Sequence, residues 1–204
     1  MKPPEPCPEG RAGFSFIEVL LVLAIVTTLL AGALGVWRHG AAGPALRAAE
    51  TEVAGLLTLA RSHALRLNAA TRLLVELEPA TTGQRRFLQA QDPVDGTWRP
   101  LGPPQVLAAH AVILTAELTS ASSFEGSELT GSHFHGEMLV EAEAGPVRCG
   151  YIHFSAAGTS FGSAQLVVLP ARPAAAGWTL GDPGRARLFL IRPGGGFTIR
   201  GAAP

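Results

Sequence analysis

The first feature of the chain is an apolar run from Phe14 to Trp37, in which Glu18 is the one ionisable residue. About 24 residues at helical rise extend about 36 Å, which exceeds the roughly 30 Å of a bilayer core. The pattern therefore predicts a transmembrane helix over 14–37. The alternative is a secretory signal peptide, whose apolar region of about 7–15 residues would end at a small-residue cleavage site. This run is longer and continues into more helix-compatible sequence.

Helical periodicity resumes after Gly40, Gly43 and Pro44, which are expected to bend or loosen the helix. Apolar side chains then recur at three- and four-residue spacing and define one face. The members of this apolar stripe are Leu46, Ala49, Val53, Leu56, Ala60, Ala64 and Leu67. We predict an amphipathic continuation of the helix over 38–68 that covers a sheet with this face.

Beyond Asn68 the hydrophobic period changes to two, in short runs separated by turns rich in Gly, Pro, Asp and Ser. Such runs predict antiparallel strands, here over 72–77, 112–118, 137–143, 151–154, 165–169, 187–191 and 197–200. The segment Pro193–Gly196 between the last two is typical of a hairpin connection. The predicted fold class is α+β: a long N-terminal helix packed on a C-terminal antiparallel β-sheet domain at 69–204. The sequence determines the fold of residues 93–145 least well.

Composition agrees with a membrane segment and gives no sign of a polyanionic partner. Hydrophobic residues make up 47% of the chain and charged residues 16%, which is a low share of charge for a soluble protein. Lys plus Arg equals Asp plus Glu at 16 each, so net charge does not favour nucleic acid. Cys7 and Cys149 lie on opposite sides of the apolar run, and no disulfide framework can be read from them.

Glu18 is the informative residue of the apolar run, because an unpaired carboxylate in lipid costs a few kcal/mol. If the chain were cut before Phe14, the new amine would lie one helical turn from Glu18. The amine could pair with this carboxylate or with that of a neighbouring chain, which would offset both desolvation costs. The alternative is a glutamate that sits at headgroup depth without a function.

Residues 11–26, RAGFSFIEVLLVLAIV, resemble the processing signature of type IV prepilins and type II secretion pseudopilins. The resemblance implies that 1–13 is a leader peptide and that prepilin peptidase cuts between Gly13 and Phe14. It also implies N-methylation of Phe14 and a role for Glu18 in assembly with the neighbouring subunit's terminus. A single-pass bacterial inner-membrane protein with its C-terminal domain in the periplasm is expected from the family. The charges flanking the run give little help with this orientation.

The segments 59–77 and 151–169 are similar to the H-type minor pseudopilin family, which includes FimT-like minor pilins. This resemblance implies a minor pseudopilin of the type II secretion system, in a periplasmic pseudopilus that drives protein export. Its partners would be prepilin peptidase, other major and minor pseudopilins, and the inner-membrane assembly platform. The alternative is a FimT-like minor pilin of a type IV pilus, involved in pilus assembly or DNA uptake.

Two polar clusters contain residue types that occur in chemical sites. His133, His135 and Glu137 would share one face of a strand and could bind a metal ion, but a polar, solvent-facing segment is the preferred interpretation. His153 lies near hydroxyl residues without a nucleophile signature; these are Ser155, Thr159 and Ser160. We therefore expect no enzyme, no cofactor and no metal. A membrane-tethered enzyme is kept as a third hypothesis.

Two further features carry expectations about reactivity and binding. Cys149, the cysteine left after processing, is expected to be buried and inert. The C-terminal region is basic and could contact phosphates if its arginines shared a face; they are Arg185, Arg187, Arg192 and Arg200. Solvated strand-edge arginines are the preferred interpretation, since neither aromatic interleaving nor overall positive charge supports DNA binding.

Overall fold

The computed structural model describes residues 16–40, 42–80, 82–107, 110–121, 131–142, 145–175 and 177–201, without the side chains of 31–40, 42 and 119–121. The chain divides into two compact units at Gly40. The first contains helix α1, Phe16–Gly40, and the second contains helix α2, Ala42–Leu67, with all the strands. The predicted cleavage residues Gly13 and Phe14 lie outside the described residues.

Helix α1 is apolar around its whole circumference. Its large side chains from Phe16 to Leu30 are exposed, led by Phe16 at 80%. The hydroxyls of its two threonines are satisfied within the helix itself. Those of Thr27 and Thr28 donate to backbone carbonyls one turn back, at Leu23 and Ala24. Within the described residues, no helix combines the length and apolar character needed to cross a bilayer. The predicted span at 14–37 begins outside those residues and stays a prediction.

Helix α2 has one buried face, as its apolar spacing predicts. Pro44 lies in the first turn, where its missing N–H costs no helical hydrogen bond. The predicted stripe from Leu46 to Ala64 is buried, with six members at most 6% exposed. Its last predicted member, Leu67, is 43% exposed, which corrects that assignment.

The reason that Leu67 leaves the core is the end of the helix. Asn68 has a φ of 47°, the left-handed conformation that commonly follows a helix C-terminus. The N–H of Ala69 then donates to the carbonyl of Ala64 at 3.2 Å, the backward hydrogen bond of a Schellman motif. The chain turns away at this point, and Leu67 turns with it.

Strands of the second unit form two antiparallel sheets. The strands are β1 Thr71–Glu76, β2 Arg85–Gln91, β3 Trp98–Pro100, β4 Gln105–Val106, β5 Ala111–Ile113, β6 Gly136–Ala142, β7 Gly145–Phe154, β8 Ala164–Ala174, β9 Gly177–Leu180, β10 Arg187–Ile191 and β11 Phe197–Gly201. The first sheet has the order β3-β2-β1-β7-β6, with β4 also beside β2. The second has the order β11-β10-β8-β5, with β9 also beside β8. The predicted hairpin at Pro193–Gly196 joins β10 and β11 and is confirmed.

The main core lies between α2 and the inner faces of both sheets. The α2 stripe packs with buried side chains of both sheets, among them Leu73, Val75, Ile113, Ile152, Phe154, Leu166, Val168, Phe189 and Ile191. The hydroxyl of Thr71 ties the start of β1 to α2 by donating to the carbonyl of Ala60 at 2.8 Å. The predicted α+β class is confirmed, since helix α2 packs on an antiparallel β-domain.

One buried side chain connects the two sheets directly. The amide nitrogen of Gln84 donates to the carbonyl of Glu76 on the first sheet and to that of Ile113 on the second, at 2.8 and 3.0 Å. Its amide oxygen accepts the N–H of Ile113 at 2.6 Å. Gln84 is fully buried, so these bonds satisfy an amide that would otherwise be costly to bury.

The strand predicted over 112–118 is partly wrong. Strand β5 ends at Ile113, and a short helix α3 occupies Ala116–Ala121. Thr115 causes the switch, because its side-chain oxygen accepts the N–H of Leu118 at 3.3 Å in the manner of a helix N-cap. Its hydroxyl also donates to the carbonyl of Leu77 at 2.8 Å, which holds the cap in place.

The outer faces of the two sheets, those turned away from α2, differ. On the second sheet, buried Leu114, Val167 and Leu169 pack against Leu118 of helix α3, as well as against Leu180 and Leu188 from strands of the same sheet. On the first sheet, buried Leu74 and Cys149 are covered by their own neighbours in the sheet, which are partly buried: Phe87, Met138, Ala142 and Tyr151.

Candidate functional site

The first candidate site is the surface of α1 with Glu18 in its first turn. Glu18 is exposed and surrounded by exposed apolar side chains. The neighbours within one turn include Ile17, Val19 and Leu21, each at least half exposed. A carboxylate is favoured near the positive end of the helix dipole. This arrangement can pack against other apolar helices, and it has one charge that calls for a partner.

Two of the predicted site residues, Gly13 and Phe14, are not placed by the structure. The cleavage, the N-methylation and the pairing of Glu18 with a neighbouring terminus therefore stay predictions. The structure does show that Glu18 lies in an exposed apolar surface.

The three candidate metal ligands are not brought together. His133 pairs by its backbone with Gln165 of the second sheet, whereas the N–H of His135 donates to Tyr151 of the first sheet. Glu137 pairs with Arg148 at 2.8 Å. The expectation that these residues share one strand face is wrong, because the segment crosses from one sheet to the other. Within the described ranges, no group of three His, Cys, Asp or Glu residues is placed to bind a metal ion.

His135 has a structural contact instead. Its Nδ1 accepts the backbone N–H of His153 at 3.0 Å, just before β6 begins. Burial lowers the pKa of His135; a hydrogen bond with the backbone of Gly162 acts against that shift, and the charge of His133 acts with it. The neutral ring is therefore favoured, as an Nδ1 acceptor requires.

Among the described contacts, none joins the hydroxyl residues near His153 to its ring. Ser155 and Thr159 bond each other, with 2.7 Å between their oxygens. The hydroxyl of Ser160 donates to the carbonyl of Gly162 at 2.8 Å, and its oxygen also lies 3.4 Å from Nε2 of His135. The ring of His153 instead contacts two aromatic rings, those of Trp98 and Phe161.

Cys149 is buried, as the sequence predicts. Burial, with a contribution from the charge of Glu76, raises the pKa of the Cys149 thiol to about 12. The thiol is therefore protonated at neutral pH and is a poor nucleophile. Glu76 is itself held by Arg85, whose guanidinium nitrogens lie 2.8 and 3.2 Å from the two carboxylate oxygens.

The C-terminal arginines do not share a face. Arg187 points to the α2 side, where it pairs with Glu50 at 3.2 Å. Arg200 stands opposite Leu188 in the β10–β11 register, on the other face of the sheet. Arg185 lies in a 3₁₀ turn, and Arg192 lies in the hairpin. The condition for a phosphate-binding face is therefore not met.

A cluster on the outer face of the first sheet was not predicted. The guanidinium of Arg72 lies 3.9 Å from the ring centroid of Trp98. Trp98 meets His153 edge-on at 5.7 Å, and His153 meets Phe161 at 5.8 Å. The sequence signal that could have found this cluster is Arg72 directly before the apolar run Leu73–Val75, but its aromatic neighbours come from distant segments.

Comparison with known proteins gives a limited result. No family model matches the chain, and no curated protein matches it significantly. Among solved structures, the chain is similar to the type IV minor pilin FimU of Pseudomonas aeruginosa, with 15% sequence identity and a TM-score of 0.43. That similarity covers 76% of this chain and 87% of the FimU chain.

Proposed function

We propose that this chain is a minor pseudopilin of a type II secretion system, made as a membrane-anchored precursor and assembled into a periplasmic filament. The observation that carries the proposal is α1, a helix with exposed apolar side chains on every side and a glutamate in its first turn. Such a surface is stable only in lipid or against other apolar helices. The resemblance of residues 11–26 to prepilin processing signatures supports the same role.

Processing would begin in the inner membrane, where prepilin peptidase cuts between Gly13 and Phe14 and the new terminus is methylated. The apolar helices of successive subunits would then bundle in the filament, with the β-domains facing outward. Glu18 would set the register, since a carboxylate left unpaired among apolar helices penalises a misplaced subunit. The partners would be other pseudopilins and the inner-membrane assembly platform. The role is assembly, without catalysis.

The β-domain is suited to this role because its core does not use α1. The α2 stripe and both sheets form a closed apolar cluster from residues beyond Gly40. The domain can therefore keep its fold while α1 exchanges lipid for neighbouring helices. The alternative of a DNA-binding minor pilin has less support, because Arg187 is neutralised by Glu50 and Arg200 lies on the opposite face.

The first test is the N-terminal mass of the protein recovered from membranes, with and without co-expressed prepilin peptidase. We expect a peptidase-dependent chain that starts at Phe14 and carries one added methyl group. The Glu18→Ala variant should be cleaved like the wild type but should enter filaments several-fold less, because it lacks the charge that sets the register. Crosslinking into filaments measures the incorporation. A Met1 start in both samples, or unchanged incorporation of Glu18→Ala, would contradict the proposal.

A further inference from the structure

The outer face of the first sheet has the features of a docking surface. Among the described side chains, its apolar residues pack only with their neighbours in the sheet, whereas the outer face of the second sheet also contacts Leu118 of helix α3. This surface lies within the β-domain and does not involve α1, so the inference stands independently of the proposed function. Three observations identify what would bind there.

The first observation is the state of Arg72. Its Nε donates to the amide oxygen of Gln89 at 2.8 Å, and its guanidinium plane lies against Trp98. No carboxylate pairs with Arg72 in the part of the chain that the structure describes. The side chain is partly buried, and burial lowers the pKa of Arg72, yet a guanidinium keeps its charge. A partly desolvated cation without a counter-charge favours a carboxylate supplied from outside.

The second observation is the apolar surface around this cation. Phe161 is 83% exposed and stands at one end of the aromatic row that begins at Trp98. The next row across the sheet contains Phe87 and Tyr151, which flank Leu74 in the strand register and are partly buried. Apolar side chains at alternate positions of an extended segment would lie on these two rows.

The third observation concerns the surrounding charges, which argue against a polyanion. On the same face, Arg85 is neutralised by Glu76. Beside Trp98, Arg99 is shared between Asp92 and Asp95 at 3.0 and 3.2 Å. A nucleic acid would need several unpaired cations in a row, whereas a single carboxylate needs only Arg72.

We propose that this face binds an extended segment of another protein that places one carboxylate on Arg72 and apolar side chains on Phe161, Phe87 and Tyr151. Arg72 gives the site its selectivity for acidic residues, because its stacking on Trp98 and its bond to Gln89 hold the guanidinium in place. The aromatic rows supply contact area with little loss of side-chain freedom.

The test uses the full chain, kept soluble in a mild detergent, and fluorescence anisotropy of labelled peptides. The probe is a pool of extended nine-residue peptides that alternate apolar and acidic residues. A matched pool carries Asn and Gln in place of Asp and Glu. We expect the acidic pool to bind and the amide pool to bind at least about tenfold more weakly.

The variant Arg72→Gln should weaken binding of the acidic pool by about tenfold. The matched control is Arg192→Gln, which removes the same charge from an exposed turn and should leave binding unchanged. Phe161→Ser should weaken binding about threefold, in keeping with the lost apolar contact. Because the side chain of Phe161 is exposed, we expect Phe161→Ser to fold. This variant therefore tests whether the face binds acidic peptides even if Arg72→Gln fails to fold.

Three results would overturn the inference. One is equal binding, or no binding, of the acidic and amide pools. Another is binding that neither Arg72→Gln nor Phe161→Ser changes. The third is tighter, Arg72-dependent binding of a labelled single-stranded oligonucleotide, which would assign the surface to nucleic acid.

Discussion

The two helices of this chain have almost the same length, 25 residues in α1 and 26 in α2, but they meet opposite needs. Helix α2 is apolar on one side and buries that side against two sheets of its own chain. Helix α1 is apolar on all sides, and its side chains from Phe16 to Leu30 are exposed. The width of the apolar surface therefore indicates how many sides of a helix need a partner: one side for α2, which its own sheets cover, and every side for α1.

The glutamates of the two helices show the same contrast. Glu52 of α2 pairs with Arg86 at 3.0 Å, and the side chain of Arg86 is only 1% exposed. Burial lowers the pKa of Arg86, and the charge of Glu52 acts against that shift. Glu18 of α1 stands exposed in an apolar surface. One carboxylate pairs with a buried arginine of the fold, whereas the other is exposed and is the one that we propose acts in assembly.

The largest effect is expected from shortening one buried leucine of α2. Leu57 is 1% exposed in the core, and Leu57→Ala should lower the free energy of unfolding by about 3 kcal/mol through lost burial and a cavity. The matched control is Leu23→Ala in α1, where the side chain is 61% exposed and the β-domain should keep its stability. Denaturant unfolding of the full chain in detergent, followed by circular dichroism, measures both. A similar loss of stability in the two variants would break the contrast between the helices.

A smaller effect is expected from the glutamates. Glu52→Gln should lower the free energy of unfolding by about 2 kcal/mol, because buried Arg86 loses a charged hydrogen-bond partner. The control Glu18→Gln should leave the unfolding of the β-domain unchanged and should act on filament incorporation. The same denaturation experiment decides the point. A stable Glu52→Gln variant would mean that Arg86 finds another acceptor.

The smallest effect concerns the point at which α2 ends. Asn68→Ala should cost about 1 kcal/mol, since alanine tolerates the positive φ of this position less well than asparagine does. Asn68→Gly should be close to neutral, because glycine adopts this conformation without strain. Midpoints of thermal unfolding would show the order Gly, Asn, Ala from most to least stable, or Asn ahead of Gly by a small margin. If the alanine variant were the most stable, the helix end would not depend on this cap.

Much of the fold follows from local patterns in the sequence. The α2 stripe was predictable because helical spacing and burial agree over five turns. The β10–β11 hairpin was predictable because two short apolar runs flank a Pro-Gly-Gly-Gly segment. Glu18 was predictable as the charge in an apolar helix, whereas its proposed pairing with a neighbouring subunit stays a prediction.

The missed elements have identifiable physical causes. Strand β2 contains two arginines and two glutamines, because one face contacts Glu52 and the other contacts Glu76 and Arg72. Because polar residues occupy both faces of β2, its sequence lacks the alternation of apolar and polar residues that predicts a strand. Helix α3 was missed because its apolar residues also fit a period of two, and the deciding bond comes from the hydroxyl of Thr115. The cluster at Arg72 depends on contacts between distant segments, which no local pattern records.

The buried amide of Gln84 has a consequence for how the β-domain unfolds. Because it bonds to Glu76 and Ile113 at once, neither sheet can separate without leaving buried donors and an acceptor unpaired. This bridge favours unfolding of the two sheets as one cooperative unit over an intermediate in which one sheet is open and the other intact. Under the proposed role, we expect the β-domain of a subunit loaded in a filament to resist as a whole until it opens as a whole.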